Sequence, residues 1–398
     1  MEKYTELLSK IGSNNKVRRE KVKKVLVLID LKRFYIGDTC IHVSRFKKTR
    51  EYYPNAIIDA NTVNSKHHSL ITPFLQNNPY VGRYDNLAWT NIDFSSYDVI
   101  ICGCIPEQEF LDFLYDNLAH KILDGSMTSA IFSAAGSIGF EEEQLYGKPV
   151  LPVHTEYNAY ELSAELNADM LSNELFISQT EETWAADWLK GKGLEEGEEL
   201  YVFLDSASIK DKLLRIDVYF DVLSAFLTEK NVKILLFDEA KIGKKEFYEA
   251  WLGQELSKKL IFVEGLSIRE AFCLLGNSSI KFIFGPSTGL LHCASGIYTV
   301  MSRGRKNMEV PLMISYNGIV ENRFVEHLWW NGSLVDGIAL TKDASPSGKI
   351  ISVKELDINK KVITEGVLSC PEFTSGILIN YIRGKFMERV GRKYNAVV

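Results

Sequence analysis

Gly285-Pro286-Ser287-Thr288-Gly289-Leu290-Leu291-His292 decides how this chain is read. An apolar run, Ile280–Phe284, precedes it and reads as a buried strand. Leu290–Ile297 follows and reads as a helix. Strand, glycine-bracketed hydroxyl pair and helix together build an anion site. The glycines let backbone approach a ligand, and the first N–H groups of the helix, with its dipole, face negative charge. Ser287 or Thr288 can cap that helix, and a cap alone would also explain the loop. His292 lies four residues after Thr288, on the same helix face and leaning back toward its start.

A second turn, Ile36-Gly37-Asp38-Thr39, follows the strand-like Lys24–Asp30 and a short loop, Leu31–Tyr35. It places Asp38 at the start of a helix expected over Thr39–Tyr52 and ended by Pro54. Asp38 reads either as an N-cap carboxylate or as a general base at the carboxyl end of a parallel sheet. His42, one turn on, shares its helix face.

Outward from these two turns the chain alternates apolar runs with helix-like segments. Strands are expected over Ala56–Ala60, Val99–Cys104, Ala130–Ser133 and Val150–His154, then over Tyr201–Leu204, Val232–Phe237, Leu260–Val263 and Leu312–Ser315. The intervening helices include His67–Gln76, Glu107–Lys121, Val218–Lys230, Lys244–Lys258 and Ser267–Leu275. Such alternation predicts α/β architecture, parallel sheets covered by helices on both faces. At 398 residues the chain has room for two such domains. We expect residues 1–178 as an N-terminal domain and 179–378 as a C-terminal one, joined through Asn173–Glu199. The end, Ser375–Tyr394, reads as a basic helix, and the part beyond the second domain, 379–398, is expected to pack back on the first domain or to present a solvated face.

An apolar share of 46% and a charged share of 25% are ordinary for a soluble globular protein, and a net charge of −6 argues against nucleic acid as a partner. Six scattered cysteines show no four-ligand zinc spacing and fit a reducing cytoplasm. Met1–Lys24 lacks the apolar core of a signal peptide.

The ordered motifs resemble glycosyltransferase family nine, the heptosyltransferases of lipopolysaccharide core assembly. The matching residues are Ile36-Gly37-Asp38, Tyr53-Pro54-Asn55-Ala56, Asn78-Pro79-Tyr80-Val81 and Gly285–His292. The resemblance implies the GT-B fold, two doubly wound Rossmann-like domains facing a cleft, with the acceptor on the first and a nucleotide-sugar donor on the second. It implies inverting transfer of a sugar to a hydroxyl, with no cofactor and no required metal. Asp38 would take the acceptor proton. Ser206, Ser208, Lys212, Ser287, Thr288, Gly289 and His292 would bind the donor, and Asp238-Glu239 could meet its ribose or stand as loop carboxylates. Lys210 is an alternative to Lys212, and His292 either bonds phosphate or holds the loop. The chain departs from the family where Leu204-Asp205 replaces Pro-Gly and Lys212-Leu213-Leu214-Arg215 replaces Lys-x-Trp-Pro. Asp205 would set a negative charge beside the phosphates unless it points away.

The expected acceptor is a glycan or glycolipid, at a cytoplasmic site touching the inner membrane surface. Lys32, Arg33, Lys47, Lys48 and Arg50 could meet an acidic glycan or be solvated helix residues. Trp329-Trp330 could stack a base or sugar, or fill the core. The basic loop Met301–Glu309 could touch a phosphate or an anionic membrane. Two other readings share the architecture: a nucleotide-sugar epimerase, and a binding protein that has lost the chemistry.

Overall fold

The computed structural model describes residues 2–29, 34–63, 65–134, 149–166, 173–238, 242–305, 308–330, 333–342, 348–357, 360 and 362–395. The chain divides into two compact units, Met1–Leu171 and Ser172–Val398.

The first unit runs α1 (Thr5–Asn14), β1 (Lys24–Leu28), α2 (Ile36–Tyr52), β2 (Ile57–Asn61), α3 (His68–Leu75), β3 (Tyr84–Asp85), β4 (Val99–Cys102), α4 (Glu107–Asn117), α5 (Ala119–Leu123), β5 (Ala130–Ser133) and α6 (Thr155–Leu166). Its strands form one parallel sheet in the order β3-β2-β1-β4-β5. The centre is Lys-Val-Leu-Val-Leu in β1 and Val-Ile-Ile-Cys in β4, buried on both faces as short apolar strands of a covered parallel sheet must be. Leu7 and Ile11 of α1 pack with Leu26, Leu28 and Ile100 in a core that Phe110, Leu111 and Leu114 of α4 complete. Val150–His154 is not a strand; within it Val153 alone bridges to Ser133.

The second unit runs α7 (Gln179–Gly191), β6 (Glu199–Phe203), α8 (Ile216–Leu227), β7 (Val232–Asp238), α9 (Lys244–Ser257), β8 (Leu260–Glu264), α10 (Ile268–Leu275), β9 (Ile280–Pro286), α11 (Gly289–Gly304), β10 (Leu312–Asn317), α12 (Glu326–Trp330), β11 (Asp336–Thr341), β12 (Lys349–Ser352) and α13 (Ser375–Asn395). Its seven-stranded sheet has the order β12-β11-β10-β9-β6-β7-β8, parallel except for the edge pair β11–β12. Phe203, Phe226, Phe282 and Phe284 interlock at centroid distances of 5.5–6.1 Å. Burying each ring is worth about 1.5–3 kcal/mol.

Two expectations about the chain's organisation are changed. In the segment expected as a join, Asn173–Glu199, the amphipathic stretch Thr180–Leu189 lies in α7, opened by a capping box between Ser178 and Glu181. Glu181 then meets Arg269 of α10 through two bonds, Nε–Oε1 at 2.7 Å and Nη2–Oε2 at 2.8 Å, so this segment is built into the second unit. The terminal helix, α13, begins at Ser375. It buries Leu378 and Ile382 in the second unit's own core, where Tyr381 donates to Asp336 at 2.8 Å. All six cysteines are buried and none is in a disulfide.

Candidate functional site

In the second unit the chain builds β6, β7 and β8 outward in one direction, then returns to the other side of β6 to add β9. Strand order reverses between β6 and β9. In open α/β sheets ligands collect beyond the carboxyl ends of the strands at such a point. The two loops singled out by sequence leave the sheet there: Leu204–Ser208 after β6, and Ser287–Thr288 after β9.

Gly285 has a packing role. A Cβ there would lie 2.6 Å from Leu204 Cβ and 3.0 Å from its carbonyl oxygen, so glycine lets β9 close against the end of β6. The expectation that this glycine admits a ligand is thereby corrected. Thr288 occupies the N-cap position of α11 with φ −135° and ψ 156°, but its hydroxyl makes no capping bond. Its carbonyl instead receives Leu291 N–H at 3.1 Å and His292 N–H at 3.3 Å. The first N–H groups of α11, beginning at Gly289, precede the intrahelical ladder and point out of the helix start. Ser287, Thr288 and Gly289 are half-buried, and Ser206 and Ser208 are exposed.

His292 is buried and stacked on Trp330, with ring centroids 4.2 Å apart and planes 13° apart. Burial, with the nearby Lys212 charge, holds its pKa down to about 3, so the imidazole is neutral. Trp330 is fully buried and donates from Nε1 to Asn317 Oδ1 at 3.0 Å, so this tryptophan is core. Lys212 lies on a 3-10 turn, Lys210–Lys212, with Nζ 3.2 Å from Glu326 Oε1. Glu326 is buried, and its other oxygen accepts Val325 N–H at 3.1 Å. Lys210 is exposed; the structure brings Lys212, and not Lys210, to the buried cluster.

Asp205 is neutralised within its own unit. Lys244 Nζ lies 2.7 Å from Oδ1, and the Tyr248 hydroxyl donates to Oδ2 at 2.7 Å. Sequence reasoning missed both partners, because they stand on α9, about 40 residues away. Asp238 is buried and accepts the N–H groups of Ile242 at 3.1 Å and Lys244 at 3.2 Å. It fastens the start of α9, which accounts for its carboxylate without a ribose. Glu239 lies outside the described residues.

In the first unit strand order reverses between β1 and β4. The helix after β1 begins at Ile36, three residues earlier than expected, with Tyr35 at its N-cap. Asp38 is therefore an exposed first-turn residue, where a carboxylate meets the positive end of the helix dipole, and not the cap itself. His42 faces the turn after β4, with Nδ1 3.5 Å from Cys104 Sγ. Burial, then the charges of Arg45 and Lys48, holds its pKa down to about 3. Arg45 is buried with Nε 2.8 Å from Glu161 Oε1, and a Cβ on Gly103 would lie 2.2 Å from its Nη1. Lys47 and Lys48, expected as solvated or acceptor-facing, are buried in α2. Lys32 and Arg33 lie outside the described residues. Of the stretch expected as a basic loop, Met301–Glu309, the part up to Gly304 is the last turn of α11; Arg303 pairs with Glu174 and Arg305 with Glu182, and residues 306–307 lie outside the described residues.

No protein-family model matches the chain, and no curated protein sequence matches it. Solved structures do. A glycosyl transferase family 9 structure from Veillonella parvula aligns over 81% of this chain and 87% of its own, at 11% identity and a TM-score of 0.52. E. coli ADP-heptose lps heptosyltransferase II aligns over 85% of this chain and 96% of its own, at 16% identity and a TM-score of 0.49. E. coli heptosyltransferase WaaC with ADP covers 79% and 92%, at 14% identity and a TM-score of 0.45. The Veillonella likeness establishes the architecture: the chain has the α/β fold of that glycosyltransferase.

Proposed function

We propose that the chain is a glycosyltransferase that moves a sugar, a heptose or a relative of it, from a nucleoside-diphosphate donor to a hydroxyl of a surface glycan such as a lipopolysaccharide core. The observation that carries this reading is the pairing of two loops at the switch point of the second unit. One is Ser206–Lys212, the other the start of α11 at Ser287–Gly289. Helix N–H groups, hydroxyls and one lysine form the donor set that a diphosphate requires. The Asp205–Lys244 pair supports it, because the carboxylate that would repel phosphate is already matched by a cation. The charge developing on the leaving diphosphate would be stabilised by these fixed donors, with no metal required. Asp38, on the acceptor-binding unit, would take the acceptor proton, giving inversion by direct displacement. The site of action would be the cytoplasmic face of the inner membrane.

Calorimetric titration with a panel of nucleoside diphosphates and free nucleosides tests the donor assignment. Lys212→Ala should weaken the diphosphate by roughly 1.5–3 kcal/mol more than the nucleoside, the scale of a charged hydrogen bond. Because Lys212 also matches buried Glu326, Lys212→Ala/Glu326→Gln serves as the control for lost stability. Equal losses for both ligands would remove Lys212 from the phosphate site. Once donor and acceptor are in hand, Asp38→Asn should lower the transfer rate about 100-fold or more while leaving donor affinity unchanged. A rate near that of the unaltered protein would end its assignment as base.

A further inference from the structure

Arg303 and Arg305 at the end of α11 are paired with Glu174 and Glu182, but a stronger positive surface stands on the first unit. Between α1 and β1 runs Lys16-Val17-Arg18-Arg19-Glu20-Lys21-Val22-Lys23-Lys24, with six Lys and Arg and one Glu. Its formal charge is +5 (6 − 1) in a chain whose total is −6, so the remainder carries −11 (−6 − 5). Lys16, Arg18, Arg19, Lys21 and Lys23 are exposed, while buried Val22 pins the segment to the unit. Among the described residues, the side chains of Lys16, Arg18, Lys21 and Lys23 form no ion pair. Two aliphatic side chains adjoin the strip. Ile57, 58% exposed, donates its N–H to the Lys23 carbonyl at 2.8 Å. Val153, 56% exposed, shares a concavity of about 790 Å³ with Lys16, Arg18 and Arg19. The opposing charges are Glu20, 3.3 Å from Arg19 Nε, Asp59, 3.8 Å from Lys24 Nζ, Glu156 in the concavity, and Asp98, which accepts the N–H groups of Lys23 and Lys24.

We propose that this strip docks the first unit on an anionic lipid surface. Clustered lysine and arginine are attracted to lipid phosphate, and the attraction is lost with salt. Ile57 and Val153 stand where aliphatic side chains would enter the boundary between headgroups and acyl chains. Nucleic acid fits less well: residues 16–24 include no aromatic side chain on which a base could stack. The proposal stands apart from the transfer chemistry, since docking needs neither donor nor acceptor.

The test floats the full chain with phosphatidylcholine vesicles, alone or with about one third phosphatidylglycerol, at low and high salt. The anionic vesicles alone should capture it, and high salt should release it. Arg18→Ser/Lys21→Ser/Lys23→Ser should weaken capture on the order of 100-fold, and Ile57→Ser by a smaller factor, with melting curves unchanged. If the triple variant melts early, Lys21→Ser and Ile57→Ser, taken singly, carry the comparison. Absence of capture, capture by neutral vesicles, or equal capture of folded variants overturns the proposal. A single-stranded oligonucleotide that displaces the vesicles at matched charge also overturns it and makes the strip a nucleic-acid surface.

Discussion

Asp205 leaves β6 with both carboxylate oxygens engaged, one by Lys244 and one by the Tyr248 hydroxyl, which in turn lies 3.1 Å from the Tyr219 hydroxyl. A charge that would repel a diphosphate is cancelled before any ligand arrives. Lys244→Ala should therefore lower diphosphate affinity roughly 10-fold or more, by leaving a lone carboxylate beside the site. Asp205→Asn/Lys244→Ala should restore most of the loss, and the difference, read by calorimetry, gives the coupling between the two. An unchanged affinity in Lys244→Ala would place the nucleotide away from Asp205. Gly285 makes the same point in reverse. Its neighbours in sequence suggested a ligand, whereas its neighbour in space is Leu204 on the adjoining strand. A residue's type is visible in the chain, but its partner is not.

Between elements, His292 of α11 stacks on Trp330 of α12. His292 and His42 are both held to about 3, against 6.5 for an unperturbed histidine. Between those values the unfolded chain binds protons that the folded chain does not. The stability present above pH 6.5 is thus lost as pH falls toward 3, by at most about 1.4 kcal/mol per pH unit for each histidine. His292→Phe keeps a stacked ring and removes one of the two titrations. Its denaturation midpoint should fall less steeply than that of the unaltered chain between pH 6.5 and about 5. Parallel slopes would show that native His292 takes up a proton. Much at this scale was legible in the sequence. The strands Ala130–Ser133 and Val232–Phe237 and the helix starting at Lys244 stand where apolar runs and their breaks put them. Harder to see were the strand β11, whose Gly337 is forced by the closeness of Trp330 and Val353, and the burial of α2. A helix carrying Arg45, Lys47 and Lys48 reads as solvated until Glu161, 116 positions on, reaches Arg45. Pairs that distant leave no local pattern.

At the scale of the whole molecule, each unit has its own sheet and its own apolar core. The motif assigned to the donor is complete within the second. A chain spanning residues 173–395 should unfold in one cooperative transition and bind the nucleoside diphosphate within about 10-fold of the full chain. A fragment that folds but does not bind would show that first-unit residues help hold the nucleotide. The buried cysteines have a practical consequence. Cys40, Cys102 and Cys104 belong to the first unit, and Cys273, Cys293 and Cys370 to the second. Burial pushes the thiols of Cys102, Cys273 and Cys370 up, so an alkylating reagent finds little thiolate at those three in the folded chain, and all six are shielded from it by burial. Reaction must wait for an opening that lets water in. Iodoacetamide added to the native protein, with each modified peptide timed by mass spectrometry, becomes a pair of clocks in one tube, three hands on each, timing how often either half of the molecule comes apart.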